Sequence, residues 1–512
     1  MGHCAWRLAI VAGLVLPSGI RAQLPPVGVP GGVVRVELDG RLETFDRRFR
    51  EGHLESYAAD LSSSALGSDR IPILADAEAR IGRIIGNTSY RINLGALTAD
   101  AHADLGTGVL GVSLGLTNYI TLFGRIPLVR TRVQSSLQLD PTSADAGLNP
   151  GESSQLSFFS EMDAALATLS AKLAAGDYDA NPPQRALAQT TLADATALRA
   201  DLFALLADPA TASPAVPTTT SAAGSALDAR ILGLQTTLAG SLSVPGFTLT
   251  PELPTTVLTE PELTGMLTTP GGPVAVRLGQ SPVTFRGDAE VGAALTLVDR
   301  WDRGSRRGGF RTAVSGLVRL PTGQGDQPDR PLDIGTGEEQ TDLQVDLVAD
   351  VGAGPLGARL SGTYIRQLPS NIVTRVARPS QPFAGPDRLA LVRRDPGDVI
   401  TVGVHPFFRL ARTIALQVGA VHWARGGDSY SYPSPADALA GIDPNLLAEE
   451  SKANASVLSV GITYANPGAL RPGGKGLPVD ASWSYERVLR AGGRVPDTHA
   501  VRGQFRVYFG VW

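Results

Sequence analysis

The sequence predicts an all-β transmembrane barrel of about twelve antiparallel strands, with an α-helical insertion and an N-terminal plug or appendage. Beyond residue 22 the chain has no apolar run long enough for a helical membrane span, so any span has to be built from strands of roughly ten residues. Such strands are present as segments in which every second residue is apolar. The connections between them alternate short and long, which is typical of membrane barrels.

The alternation is clearest in Leu343–Leu347 and Leu458–Ile462, where apolar and polar residues take turns and give the strand one apolar and one polar face. A soluble β-sandwich would show the same alternation, so the loop pattern is needed to favour the barrel. We predict strands near Ser89–Asp100, Gly108–Leu116, Tyr119–Arg132, Phe285–Val298, Arg311–Pro321, Thr341–Val351, Gly357–Arg366, Asp398–Leu410, Thr413–Ala424, Ala455–Tyr464, Val479–Leu489 and Val501–Trp512.

Composition and charge exclude several classes of protein. Hydrophobic residues make up 43% of the 512 residues and charged residues 18%, which is not the composition of a disordered chain. The net charge of −4 is small and no basic stripe is present, so we expect no nucleic-acid partner. Cys4 is the only cysteine, and the six histidines lack metal-ligand spacing, so we expect neither a metal site nor a cofactor.

Residues 1–22 have the pattern of an export signal. Arg7 closes a short positive region, an apolar segment follows from Leu8 to Leu16, and Ala22 offers a cleavage site. A buried N-terminal helix is the alternative, but Pro17 and the prolines that follow would end it. Export combined with barrel strands predicts the outer membrane of a Gram-negative-type cell.

The strand pattern divides the rest of the chain. Residues 88–139 carry predicted strands 1–3 and residues 281–512 carry strands 4–12. Residues 140–280 form a helical insertion, because Phe159, Met162, Leu166, Leu169 and Leu173 recur at helical spacing. Its apolar stripes either pack on each other or form a lid or plug. Residues 23–87 form either a plug in the barrel or a periplasmic appendage, and the pattern does not separate the two.

Three phrases carry a resemblance to a known family. They are Gly115–Leu122 with Arg125–Pro127 after it, Gly287–Gly292, and the looser Leu320–Gly323 with Asp333–Gly337. They resemble the outer-membrane family named for the MetA pathway of phenol degradation, a relative of the FadL-type hydrophobic channels. The resemblance implies a channel for small hydrophobic or aromatic compounds. The long helical insertion departs from the family pattern. The aromatic ending Tyr508–Trp512 resembles the signal that barrel-assembly machinery recognises.

The alternation assigns charged side chains to the barrel interior. If Leu343, Val345 and Leu347 face lipid, their polar neighbours face the lumen, since strand side chains alternate. The same rule applied to the other strands gives these lumen-facing residues: Asp288, Glu290, Arg311, Arg319, Asp342, Asp346, Asp350, Arg359 and His405. If Arg319 lies opposite Asp342, the same antiparallel register sets Arg311 opposite Asp350, which also reaches Arg359.

We expect passive uptake of small hydrophobic or aromatic compounds rather than catalysis. The competing interpretation is a structural or interaction barrel whose loops and helices bind surface partners. An outer-membrane hydrolase would need a serine paired with a histidine, and His405, a single histidine on a barrel wall, is more often a lumen or packing residue. The expected partners are outer-membrane lipid and lipopolysaccharide, the barrel-assembly machinery and a small hydrophobic substrate.

Overall fold

The chain folds into a closed barrel. The computed structural model describes residues 27–302, 308–411, 413–466 and 477–511, so the predicted export signal and Trp512 lie outside the described residues. A thirteen-stranded sheet closes through twelve of its strands, and the thirteenth, Gln280–Arg286, pairs beside one of them. In chain order we label the twelve strands β1 to β12: Val33–Phe45, Ala96–Gly115, Ile120–Asp140, Ala289–Asp302, Gly308–Leu320, Asp342–Ala353, Leu356–Gln367, Val399–Arg409, Ile414–Arg425, Ala453–Ala465, Val479–Gly492 and His499–Gly510.

All neighbouring pairs are antiparallel, and β12 closes the barrel against β1. The predicted all-β barrel of about twelve strands is therefore confirmed. From β4 onward the predicted strands match the observed ones to within a few residues. The first part differs in two ways. The end of the predicted strand Ser89–Asp100 and the predicted strand Gly108–Leu116 belong to the single strand β2. Strand β1 was assigned to the plug or appendage.

The outer surface of the barrel is apolar at mid-height. Leu110, Leu347, Val402 and Phe505 point outward and are 53%, 53%, 54% and 45% exposed. Their neighbours along each strand point inward and are polar or small in six of eight cases, the exceptions being Val109 and Val348. An apolar outer belt on a closed barrel is the surface that lipid covers, because closure leaves no strand edge unpaired in the hydrocarbon.

The two ends of the barrel differ in their connections. At one end, here called the turn end, lie the start of β1, the end of β12 and tight turns such as the one between β2 and β3. In that turn the Thr117 hydroxyl accepts hydrogen bonds from the backbone of Tyr119 and Ile120. The other end, the loop end, carries all the long connections among the described residues.

The N-terminal region 23–87 divides into parts that differ from the plug or appendage predicted for it. Strand β1 is part of the barrel wall. After β1 the chain lies at the loop end, where Arg47–Arg50 and His53–Ser56 pair and a helix, α1, spans Leu74–Ile85. Before β1, at the turn end, the Val29 backbone N–H donates to the inward-facing hydroxyl of Thr121 at 2.8 Å. Within the described part of this region, the piece before β1 contacts the inner wall at Thr121.

The insertion is helical, as predicted, and lies at the loop end. Its helices α2 to α5 are Glu152–Ala175, Pro182–Leu206, Ala222–Thr236 and Glu260–Thr268. Their apolar stripes pack with one another and with α1 in one core that contains Phe159, Met162, Leu202 and Ile231. No helix among the described residues is long and apolar enough to cross a membrane.

Strands β2 and β3 extend beyond the apolar belt, and their polarity inverts there. In the first half of β2 the outward residues Thr98, Asp100 and His102 are polar, while the inward residues Ala99 and Ala101 are buried in the core of the insertion. In the second half Leu110 and Val112 point outward. One strand thus meets water and the helical core at the loop end and lipid at the turn end.

The outward belt can be tested with one charged substitution. Leu347→Arg places a guanidinium at mid-height toward lipid, which should destabilise the folded barrel by about 2–4 kcal/mol. The matched control is Thr98→Arg, which places the same side chain on an outward position beyond the belt. Heat-modified migration on gels should be lost or weakened for Leu347→Arg and retained for Thr98→Arg. Equal assembly of the two variants would contradict the position of the belt.

Candidate functional site

The nine residues predicted to face the lumen all lie on the inner side of the wall or just above it. Eight of them are at most 8% exposed, and Asp346 is half-buried. The predicted register is the one observed, with Arg319 opposite Asp342 and Arg311 opposite Asp350. Their burial reflects close packing against neighbouring side chains along the inner wall.

Asp350 joins three strands. Its carboxylate accepts from Arg311 Nε at 2.5 Å and from Arg359 Nε and Nη2 at 2.6 and 2.8 Å. The carboxylate is about 1% exposed, so this is a buried, hydrogen-bonded ion-pair cluster that ties β5, β6 and β7. Two arginines on one carboxylate satisfy its oxygens and fix the register.

A second ladder runs nearer the loop end. Arg319 donates to Asp342 at 2.8 Å and to Glu290 at 3.2 Å, and Arg125 donates to the other oxygen of Glu290 at 3.3 Å. Sequence analysis named three of these residues and missed Arg125. The signal for Arg125 was present, because it lies two residues from the inward Phe123 in a strand with outward Ile126 and Leu128.

A third set was missed because β1 was not recognised as a wall strand. Glu37 accepts from Arg506 Nε at 3.0 Å, and Asp39 is paired with Arg502. The alternation of β1 carried the signal, since Val34, Val36 and Leu38 alternate with Arg35 and Glu37. The three sets lie on β12, β1 and β3 to β7. We call the continuous inner face of β11, β12 and β1 to β7 the charged wall.

Asp346 and Asp288 have other roles. The Asp346 carboxylate accepts hydrogen bonds from Ser315, Gln344 and Thr363. Among the described residues, no arginine forms an ion pair with it. Asp288 lies between Gln280–Arg286 and β4, and its carboxylate accepts from the backbone N–H groups of Gly323 and Glu338 at 2.8 and 2.9 Å. Asp288 therefore anchors the loop 321–341 over the barrel.

His405 is separate from the ion pairs. It lies opposite Arg359 in the register, it is 2% exposed, and neither ring nitrogen has a hydrogen-bond partner among the described residues. Within the same residues, no serine hydroxyl is hydrogen-bonded to its imidazole. Among the described residues, no group of three or more histidine, cysteine, aspartate or glutamate side chains is placed to hold a metal ion.

A cavity of about 650 Å³ lies at the loop end. Its floor contains lumen residues such as Glu37, Arg125 and Arg319, and its sides are formed by the connections after β1, β5, β7, β9 and β11. One flank is apolar and includes Phe45, Leu105, Val129, Ile334 and Val373. Every residue lining it lies outside 140–280, so the insertion is not a lid over this cavity.

The loops give the cavity a mixed electrostatic character. Enclosure by the surrounding loops, together with the carboxylates of Glu338 and Asp333, raises the pKa of Asp326 to about 7. Across the cavity, burial and the nearby Arg48 and Arg50 lower the pKa of Arg494 to about 9. Acidic and basic groups are thus crowded at the mouth, beside the apolar flank.

Comparisons with known proteins are distant. No protein-family model matches the chain, and no curated protein sequence matches it. An outer-membrane channel from Pseudomonas putida F1 is similar over 95% of this chain and 100% of that one, at 10% identity and a TM-score of 0.43. A FadL homologue from Pseudomonas aeruginosa covers 94% and 91%, at 8% identity and a TM-score of 0.29. The toluene transporter TodX from Pseudomonas putida covers 94% and 90%, at 10% identity and a TM-score of 0.22.

These neighbours are thus an outer-membrane channel, a FadL homologue and a toluene transporter. A similarity of this degree leaves the function of the chain to be argued from its own geometry. The closed barrel with an apolar outer belt is itself the architecture of an outer-membrane protein.

Removing the shared carboxylate tests the buried cluster. Asp350→Asn removes the buried negative charge that Arg311 and Arg359 share, which should lower the free energy of unfolding by about 3–5 kcal/mol. The control is Asp398→Asn at the exposed barrel rim, where loss of the pair with Arg366 should cost about 0–1 kcal/mol. Urea unfolding in detergent, followed by tryptophan fluorescence, measures both variants. A loss at Asp350 no larger than at Asp398 would contradict the buried cluster.

Proposed function

We propose that the protein is a passive outer-membrane channel for small molecules in which an aromatic or other apolar part is joined to polar groups. The observation that carries this proposal is the cavity at the loop end, whose floor consists of lumen-lining side chains. A volume of about 650 Å³ is in the range of small-molecule sites. Twelve strands enclose an interior between the filled eight-stranded barrels and the open porins.

The lining supports the class of cargo. Phe45, Leu105, Val129 and Ile334 offer apolar contact to a ring or short chain. Opposite them, arginine and carboxylate side chains offer hydrogen bonds to polar substituents. A site with an apolar flank and a few converging polar groups selects molecules that have both. An interaction barrel would need no such cavity on top of its lumen, so that alternative is not favoured.

Contacts with lipopolysaccharide and with the barrel-assembly machinery are part of the same proposal. Arg130 and Arg132 point outward on β3 just beyond the apolar belt, on the loop side, where they suit the phosphates of lipopolysaccharide. On the outer face of the last strand, Phe505 at mid-height and Phe509 near the turn end are 45% and 51% exposed. This aromatic outer surface of β12 is similar to the signal that barrel-assembly machinery recognises.

A bulky side chain in the cavity tests the channel. Thr107 points inward and lines the cavity, whereas its neighbour Gly108 points outward and has open space around it. Thr107→Trp should therefore slow the entry of small uncharged solutes into proteoliposomes several-fold and slow the uptake of benzyl alcohol by cells that depend on this protein. Gly108→Trp adds the same ring toward the interface region and should behave as the unmodified protein.

Two outcomes would count against the proposal. The purified protein would admit no solute above protein-free liposomes, or Thr107→Trp would admit solutes as fast as the unmodified protein does while retaining heat-modified migration. Either result would instead favour a structural or interaction barrel.

A further inference from the structure

Three adjacent strands, β8, β9 and β10, present an inner face without charge. Their inward residues run from Thr401 to Phe407, from Ala415 to Trp423 and from Ala455 to Thr463. Arg425 lies at the loop end of this face, where it lines the cavity, and Arg409 lies at the turn end. We call the face between these arginines the neutral strip. Together, the neutral strip and the charged wall make up the inner face of the twelve-stranded barrel.

The strip contains buried polar groups that no other part of the described chain engages. They are Thr401 Oγ1, both ring nitrogens of His405, Gln417 Nε2, Trp423 Nε1, Ser459 Oγ and Thr463 Oγ1. All six residues are at most 7% exposed. Buried polar side chains are normally hydrogen-bonded, and leaving one without a partner is unfavourable. Six on one face are therefore a feature that a bound molecule would explain.

These groups follow one another along the barrel axis. Thr401 and Trp423 lie near the loop end of their strands, His405 and Ser459 lie at mid-height, and Gln417 and Thr463 lie toward the turn end. The unused donors and acceptors thus extend from beneath the cavity to near the opposite mouth.

Glycines keep the polar side chains flat against the wall. A Cβ at Gly419 would lie 2.4 Å from His405 Nδ1 and 2.3 Å from Ser459 Oγ. A Cβ at Gly403 would lie 2.9 Å from His405 Nε2. Any residue other than glycine at these two positions would have to displace the imidazole. The two glycines therefore leave the space in which the polar side chains lie along the wall.

Three carboxylates of the charged wall are already engaged in ion pairs. Asp350, Glu290 and Glu37 are each engaged by arginine, at distances between 2.5 and 3.3 Å. A permeating molecule would have to break these pairs to use that side. The N-terminal segment adds to this asymmetry, because Val29 packs with Val33 and Tyr508 on the charged side.

We infer that the neutral strip is the path of permeation and that it favours small uncharged molecules bearing hydroxyl or carbonyl groups. This inference rests on the proposed channel function and adds the route and the charge of the cargo. Along the strip a solute exchanges hydrogen bonds from one neutral group to the next. A cation meets arginine at both ends, and an anion finds no counter-charge between them.

Swelling of proteoliposomes tests the route. The probes are arabinose, an uncharged polyol, and lysine hydrochloride and sodium gluconate as charged solutes of similar size. Arabinose should enter faster than either charged probe. Gln417→Leu keeps the shape of the side chain and removes its amide, so it should slow arabinose entry at least threefold. Ser459→Ala is the second strip variant and should slow it in the same direction.

The matched control is Gln504→Leu, the same substitution on the charged wall, where the amide already donates to Glu37 at 2.8 Å. It should leave arabinose entry unchanged, and heat-modified migration verifies that each variant is folded. If arabinose enters equally fast in the folded strip variants and in the unmodified protein, the route is overturned while the channel remains. If the unmodified protein admits no probe above empty liposomes, both the route and the channel fail.

Discussion

The structure depends on one constraint, the two-residue alternation of strands whose outer side meets lipid. Every second residue of each of the strands within the belt must be apolar, so polar residues have only the interior available. Inside, a charge is tolerated only when it is paired or hydrated. The ion-pair ladders of the charged wall are the consequence. They cross from strand to strand, so satisfying the charges also sets the register of the barrel.

The constraint explains why the interior is uneven around its circumference. Strands β5, β6 and β7 place arginine and aspartate at facing positions, and Asp350 on β6 accepts from an arginine on each of the two neighbouring strands. Strands β8 to β10 instead place glycine, serine, threonine and glutamine at inward positions. These small or neutral side chains cannot bridge the lumen by ion pairs. The charged wall is thus held by ion pairs and the neutral strip is lined by uncharged side chains, although both lie behind the same apolar outer belt.

The register of β5 and β6 could be predicted because one antiparallel alignment satisfies both Arg319–Asp342 and Arg311–Asp350. The strand β1 could not be separated from a plug by pattern, because charged inward positions alone suit either a wall or a filler. Strand β2 was split for another physical reason. Its polarity inverts beyond the belt, where Ala99 packs into the helical core and Asp100 meets water, so the alternation looks broken although the strand continues. The cavity was beyond sequence analysis because five separate connections form its sides.

The position of the helical insertion follows from the same inversion. Beyond the belt, the inward faces of β2 and β3 carry Ala101, Leu105 and Val133, which would be exposed to water without a cover. The insertion supplies that cover, since these residues share one core with Leu202 and Ile231. Arg375 fastens the far end of the insertion, donating to the backbone carbonyls of Val274 and Ala275 at 2.7 and 2.9 Å. The insertion is therefore an integral part of the barrel's rim, and the space above the lumen is shaped by the shorter loops beside it.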